Sequence, residues 1–496
     1  MILQQFPDRE TFLTAADTCT VIPVCTRILA DTETPVSILQ KFYHKDKECF
    51  LLESVEGGER WARYSFLGVS AFGTIKIFAH HVEIRTKNDT RHIAHHNDPL
   101  DVIRTVSKEF IPAQIPELPR FWSGFTGYFT YEMVSFFEDI PVSLPEDMPY
   151  AHFIIPQEMI IFDNVKQTLT CLEMIYLQAG DDHDALFDQA QTDLDRMIDT
   201  IHQPFVPQKP LPAVAVQLAS ETPAQEYLQG VKKIKEHIVE GDIFQAVYSQ
   251  AFSCHTPVDP LQIYRAQRYI NPSPYMFFMN FTDITIAGSS PETMVRLEND
   301  IATLRPIAGT RPRGKTEQDD RRLADELLND EKERAEHVML IDLGRNDLGR
   351  VAKAGTVQVT DTMVIERYSH VMHLVSNITC DMKKDTDAYD LFKATFPAGT
   401  LSGAPKIRAM EIISELETPP RRVYGGAAGY ISFTGNMDFA ITIRTAVMEK
   451  GKLTVQAGAG IVYDSDPETE LLECKNKAKS VEMALKLALG KPSGGR

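Results

Sequence analysis

Gly425-Gly-Ala-Ala-Gly-Tyr-Ile-Ser-Phe433, Phe439-Ala-Ile-Thr-Ile-Arg-Thr-Ala-Val447 and Leu453-Thr-Val-Gln-Ala-Gly-Ala-Gly-Ile-Val462 are three strand-like runs that follow one another with no helix between them. A helical pattern comes only afterwards, over Pro467 to Leu487. Met276 to Phe281 and Ile284 to Ala287 repeat the arrangement, and a further strand-like run starts at Ile243. Helical spacing marks Thr222 to Gly241, Asp319 to Leu343, Asp387 to Thr395 and Pro405 to Leu416. Strands and helices do not alternate strictly, so the expected class is α+β with large, mainly antiparallel β-sheets, not a doubly wound fold.

Toward the N-terminus the runs are shorter, as in Thr74-Ile-Lys-Ile-Phe78 and Val82-Glu-Ile-Arg85, with Gly57-Gly58 and Asn97-Asp-Pro99 as breaks. Asp184 to Ile201 has helical spacing, and Gln203 to Ala213 then carries four prolines, the composition of a linker. The expected organisation is an N-terminal region over 1–200, a proline-rich linker over 201–221 and a second region over 222–490.

The 496 residues carry 51 Lys plus Arg against 69 Asp plus Glu, a net charge of −18. That balance argues against a nucleic-acid or anionic-membrane surface. No apolar run is long enough to cross a bilayer, and Met1 to Glu10 is too polar for a secretory leader, so a cytoplasmic protein is expected. Seven scattered cysteines without a Cys-x-x-Cys pair are expected to be reduced. His80, His81, His92, His95 and His96 lie among Arg85, Lys87, Asp89 and Arg91 and read as a solvated hairpin, not a metal site.

Two Glu-x-x-Glu steps stand out, Glu333 with Glu336 and Glu470 with Glu473, each on a predicted helix. Residues three apart share a helix face, about 5–6 Å between Cβ atoms. Four facing carboxylates repel unless a hard cation such as Mg²⁺ lies between them; the alternative is a pair of ordinary solvated faces. Gly-rich segments at Pro306–Gly314, Gly399–Lys406 and Gln456–Ile461 offer backbone amides to an anion, with Gly403-Ala404 placed before a helix N-terminus. No phosphate loop and no nucleophile elbow is present in the sequence.

Together these segments resemble the chorismate-utilising enzyme family over nearly the whole chain. The likeness is densest in Gly288–Glu292, Pro306–Gly314, Lys332–Arg350, Tyr368–Ser376 and Glu470–Lys477. It implies a sandwich of antiparallel sheets with helices packed outside. It also implies that Glu333, Glu336, Glu470 and Glu473 hold Mg²⁺, which binds the ring carboxylate of chorismate. Tyr424 and Arg444 are then expected to receive the enolpyruvyl carboxylate, with Gly458, Ala459, Gly460 and Lys477 nearby. Thr400 and Gly403 join the substrate-binding set, and Thr310 the catalytic one. Glu292 is the expected general acid for the departing C4 hydroxyl, and His373 the base that takes the C2 proton. His337 and His370 are expected to be structural neighbours.

Within the family, a lysine base toward water occupies the position of Gln245, and a lysine nucleophile that of Ala308, in other branches. An amide and a methyl can do neither task, which leaves ammonia as nucleophile. The resemblance thus implies anthranilate and pyruvate as products, through 2-amino-2-deoxyisochorismate, in the first step of tryptophan biosynthesis. A separate glutamine amidotransferase small subunit would supply the ammonia. The alternatives are an aminodeoxychorismate-forming enzyme, opposed by Ala308, and a non-catalytic scaffold. Leu51-Leu-Glu-Ser54 and Asn271–Phe277 match elements that bind tryptophan as feedback inhibitor: Glu53 for its ammonium, Ser54 for a hydrogen bond, and Pro274, Tyr275 and Met276 for the indole.

Overall fold

The structure, a computed structural model, describes residues 1–55, 63–87, 89–204, 216–368 and 371–490. Gly57-Gly58, the linker's residues 205–215 and His370 lie outside the described residues.

Two long strands set the layout. Tyr64–Ile77 and Ala151–Asp163 pair antiparallel along their length, with register shifts between Gly68 and Gly73. Such irregularities bend and twist a ladder, and this pair leaves one sheet and enters another. Beyond its first end lie Thr168–Tyr176, Val21–Leu29 and Ile2–Phe6 on one side. On the other come Cys49–Glu53, Tyr275–Asn280, Ile284–Ser290, Thr445–Glu449, Lys452–Ile461 and Gln245–His255. Beyond its second end the ladder runs through Gly124–Phe129, Ala427–Ser432, Met437–Ile441, Thr293–Glu298 and Ile301–Leu304 to Val371–Asp381. All these ladders are antiparallel, and strands from before residue 200 are flanked by strands from beyond residue 222.

Side-chain alternation gives the layers. Met276 and Phe278 face a cluster with Phe12, Leu39 and Tyr264, contributed by helices. Phe277 and Met279, on the opposite face of that strand, meet Tyr128, Ile154 and Tyr430 of the second sheet. In turn Ala427 and Ile431 point away from this shared layer, toward Leu391 and Phe392 of the helix Ala388–Thr395. Helices, sheet, sheet and helices therefore stack in four layers, and the expected α+β sandwich is borne out. Strands covered on both faces need apolar residues at consecutive positions; Gly124–Phe129 is buried at every one.

Two expectations need correction. The helix read over Asp319 to Leu343 is two helices, Glu317–Asn329 and Glu331–Gly349. Asp330 breaks it: its backbone leaves helical geometry, and its carboxylate accepts the Glu333 N–H as the N-cap of the second helix. The strand read over Phe439 to Val447 is also two, Met437–Ile441 and Thr445–Glu449. Arg444, expected within a strand, sits between them in left-handed backbone at φ 51°. The histidine-bearing hairpin forms, His81–Thr86 against Thr90–Ala94, but it is not solvated throughout: His95 is buried, with Nε2 2.9 Å from the Phe78 carbonyl.

One buried ion pair ties the layers together. Arg421 donates to both carboxylate oxygens of Glu417, at 2.6 and 2.7 Å, to the Leu401 carbonyl at 2.6 Å and to the Val247 carbonyl at 2.7 Å. Its guanidinium also lies 4.5 Å over the Tyr131 ring. Glu417 accepts in addition from Ser249 N–H at 2.7 Å. Removing one partner strands a buried charge, so Arg421→Met should lower unfolding free energy by about 3–5 kcal/mol. In urea unfolding, Arg421→Met with Glu417→Gln should recover part of that loss; no recovery would mean the pair acts through packing alone.

Candidate active site

The sandwich leaves a cavity of about 580 Å³ lined by Glu292, Thr310, His373, Thr400, Tyr424, Arg444, Gly458, Gly460 and Lys477, together with Glu333, Glu336, Glu470 and Glu473. Residues expected from the sequence to act together, though scattered from Glu292 to Lys477, thus converge on one space. Gly403 and Ala459 do not line it. Gly403 pairs with Ala246 in a short ladder, and the Ala459 side chain packs into the helix-facing core. Lys332, Gln456 and Ser465 line the cavity without having been singled out. Their signals were adjacency to Glu333 and to the Gly-rich run, and for Ser465 a place just ahead of the Glu470 helix.

Glu333 and Glu336 project from the helix Glu331–Gly349, Glu470 and Glu473 from the helix Pro467–Ala488. Burial raises the Glu336 carboxyl, and the neighbouring Glu333 charge raises it further, with Glu473 of the other helix adding to the effect. Glu470 is raised by burial and then by Glu473. Carboxyls raised first by burial and then by one another's charge are what a bound cation relieves. Gly309, at φ 63°, gives this cluster room: a Cβ there would lie 3.0 Å from Glu333 Oε2. Among the described residues, the group of His, Asp and Glu with ligand atoms all within 4.8 Å is instead His237, Glu240 and Asp242, where Arg408 already pairs with Asp242 at 3.0 Å.

Glu292 follows the strand Ile284–Ser290 and accepts from Thr400 Oγ1 at 2.9 Å. Burial pushes its carboxyl up to about 7, against the opposing pull of that hydrogen bond and of Arg444. His373 Nδ1 lies 2.9 Å from the Gly309 carbonyl and 3.1 Å from Thr310 Oγ1. A carbonyl only accepts, so Nδ1 carries the proton and Nε2 keeps its lone pair. Burial lowers the proton affinity of this ring, which favours the neutral form. His337, fully buried, hydrogen-bonds Ser376 Oγ at 2.7 Å outside the cavity. Lys477 bridges Glu473 at 2.8 Å and the Gly458 carbonyl at 2.9 Å. At Gly458 a Cβ would sit 2.8 Å from the Tyr424 hydroxyl, so the missing side chain lets that hydroxyl approach the backbone. The Arg444 guanidinium makes no hydrogen bond or ion pair among the described residues.

A second cavity of about 730 Å³ shares Thr310, His373, Arg444, Glu473 and Lys477 with the first and extends to Asn271–Pro274. A third, of about 60 Å³, gathers Glu53, Ser54, Pro274, Tyr275 and Met276 with Arg120, Arg296, Tyr430 and Asp438. There the Glu53 carboxylate is already occupied, accepting from Tyr264 at 2.6 Å and Arg268 at 2.8 Å. Asp438 is held by Tyr275 at 2.8 Å and Arg296 at 2.6 Å.

A fold of this kind around a cavity so furnished defines a family. The family described as chorismate binding enzyme matches residues 47–483, and the chain belongs to it. It is 46% identical to the anthranilate synthase component 1 of Acinetobacter calcoaceticus, over 94% of this chain and 95% of that one. The corresponding protein of Acetivibrio thermocellus is 44% identical over 97% and 99%. The crystal structure of anthranilate synthase component I from Streptococcus pneumoniae TIGR4 superposes with a TM-score of 0.76 at 36% identity, covering 92% of this chain and 98% of that one. Among the described residues no helix is long and apolar enough to cross a membrane.

Burial of Glu292 predicts a stability signature. Between an ordinary 4.5 and about 7 the folded chain keeps a proton that the unfolded chain has lost, so stability falls as pH rises through that window. Glu292→Gln, neutral throughout, should gain about 3 kcal/mol relative to the parent between about pH 4.5 and 8. Urea midpoints at the two pH values test it; an unchanged difference would show that Glu292 does not titrate out of place.

Proposed function

We propose that this chain converts chorismate and ammonia to anthranilate and pyruvate, through 2-amino-2-deoxyisochorismate, as the component 1 half of an anthranilate synthase in the first step of tryptophan biosynthesis. The observation that carries the reading is the charge of the cavity: Arg444, whose guanidinium has no ion-pair partner among the described residues, shares it with two pairs of glutamates. Chorismate has two carboxylates. One suits the planar fork of Arg444, assisted by the Tyr424 hydroxyl. The other can approach the glutamates only with a cation between.

Metal dependence is general in this family. The four glutamates suit Mg²⁺, a hard ion that takes oxygen ligands, and the burial of Glu336 and Glu470 beside the charges of Glu333 and Glu473 supports that assignment. When bound, the ion supplies positive charge for the ring carboxylate. The remaining steps fall to the chain itself. Glu292, poised near 7 and oriented by Thr400, donates the proton that lets the C4 hydroxyl leave as water while ammonia enters at C2. His373, neutral and fixed by Gly309 and Thr310, takes the C2 proton through Nε2 as pyruvate departs. Gln245 and Ala308 line the same cavity and offer neither a base for water nor an amine for the ring. Ammonia therefore comes from outside. The relatives' designation as component 1 points to a partner, which we assign as a glutamine amidotransferase small subunit.

Purified chain with chorismate, Mg²⁺ and an ammonium salt should release fluorescent anthranilate, and glutamine should replace ammonium only when an amidotransferase subunit is added. Isochorismate or 4-amino-4-deoxychorismate as main product would overturn the branch. Absence of any product would favour the scaffold reading.

The third cavity we assign to tryptophan as feedback inhibitor, with Ser54, Pro274 and Tyr275 on its wall and Glu53 and Met276 anchoring the two strands that form it. Ser54→Phe should fill it. Inhibition by tryptophan should then weaken at least tenfold while activity without tryptophan stays within about twofold, since this pocket and the catalytic one share no lining residue. Full inhibition of the variant would remove the assignment.

A further inference from the structure

The backbone of Arg444 is held in a conformation it does not favour by itself. A non-glycine residue at φ 51° persists only where its surroundings fix it. Here the Arg444 carbonyl accepts from Gln267 Nε2 at 3.1 Å and from Ser289 N–H at 3.3 Å. Gln267 is 2% exposed, and because a carbonyl can only accept, its amide nitrogen must face Arg444. The amide oxygen has no hydrogen-bond partner among the described residues. A buried amide that satisfies one neighbour while leaving its own oxygen unpaired is costly as mere packing.

Gln267 belongs to the helix Pro260–Ile270. Three residues before it, Tyr264 donates to Glu53, and one residue after it, Arg268 does the same. Positions 264, 267 and 268 share one face of a helix. Eleven residues thus touch the strand Cys49–Glu53 at one point and the Arg444 backbone at another.

We propose that Gln267 is a positioning residue for Arg444, and that the helix Pro260–Ile270 transmits the state of the Glu53 strand to it. The proposal rests on the readings of Arg444 as a carboxylate-binding residue and of the Ser54 pocket as regulatory. A short helix moves as a unit, so displacement of Glu53 carries Gln267 with it and loosens its hold on the Arg444 carbonyl. The guanidinium then loses its place in the cavity, and chorismate binds less well.

Steady-state kinetics with ammonium and varied chorismate test both parts. Gln267→Met and Gln267→Glu keep the side-chain size, and circular dichroism checks folding. Each should raise KM for chorismate about tenfold, the effect of one lost buried hydrogen bond, with kcat within about twofold and KM for ammonium unchanged. Tyr264→Phe, which loosens only the grip on Glu53, should leave KM for chorismate unchanged without tryptophan. It should raise the half-inhibitory tryptophan concentration about fivefold while calorimetry still detects tryptophan binding. Arg444→Gln serves as reference. If it leaves KM unchanged, the underlying reading of Arg444 fails. If it raises KM and the Gln267 variants do not, the positioning role is wrong. Undiminished inhibition of Tyr264→Phe overturns the relay.

Discussion

Two sheets that share strands cannot slide past one another. Tyr64–Ile77 and Ala151–Asp163 belong to both ladders, and their bulged stretch between Gly68 and Gly73 fixes the angle at which the sheets face. Everything the cavity needs follows from that constraint. Arg444 arrives from the turn between a strand of one sheet and a strand of the other, Glu292 from a similar crossing, and the glutamate helices close the space from outside. The Arg421–Glu417 pair, reaching the Leu401 and Val247 carbonyls, fixes the wall beside Thr400 and Tyr424.

The layered class was legible because strand after strand appears without an intervening helix, and the glutamate pairs because i, i+3 spacing is a local property. What stayed hidden depends on contacts far apart in the chain or on single backbone angles. The run Phe439–Val447 is uninterrupted in its β-forming composition, so nothing in it announces the left-handed turn at Arg444. Asp330 is one acid among many in a charged stretch, and its capping bond with Glu333 shows only in three dimensions. Thr400 meets Glu292 across 108 positions, beyond any periodicity. Gln267, a lone amide on an amphipathic helix, carries no signature at all.

The electrostatics of the cavity are set by depletion of water more than by paired charges. Burial leads the shift at Glu292, Glu336, Glu470 and His373 alike. It makes the acid a holder of its proton and the imidazole a holder of its lone pair near neutral pH. The same withdrawal from solvent lowers the proton affinity of Arg444, against the pull of Glu292, and its guanidinium has no ion-pair partner among the described residues, so recognition of an anion and tuning of acid and base have one physical origin.

Interleaving of the two halves has a consequence for how the molecule is made. Phe129 must wait for Ala427, about 300 residues later, before the second sheet can close. Until then a ribosome-bound N-terminal fragment presents the unpaired edges of Gly124–Phe129 and Cys49–Glu53 to its surroundings. Native topology is reached only after Ala427–Ser432 has been made, and an N-terminal half without it leaves these edges open to pairing with other chains.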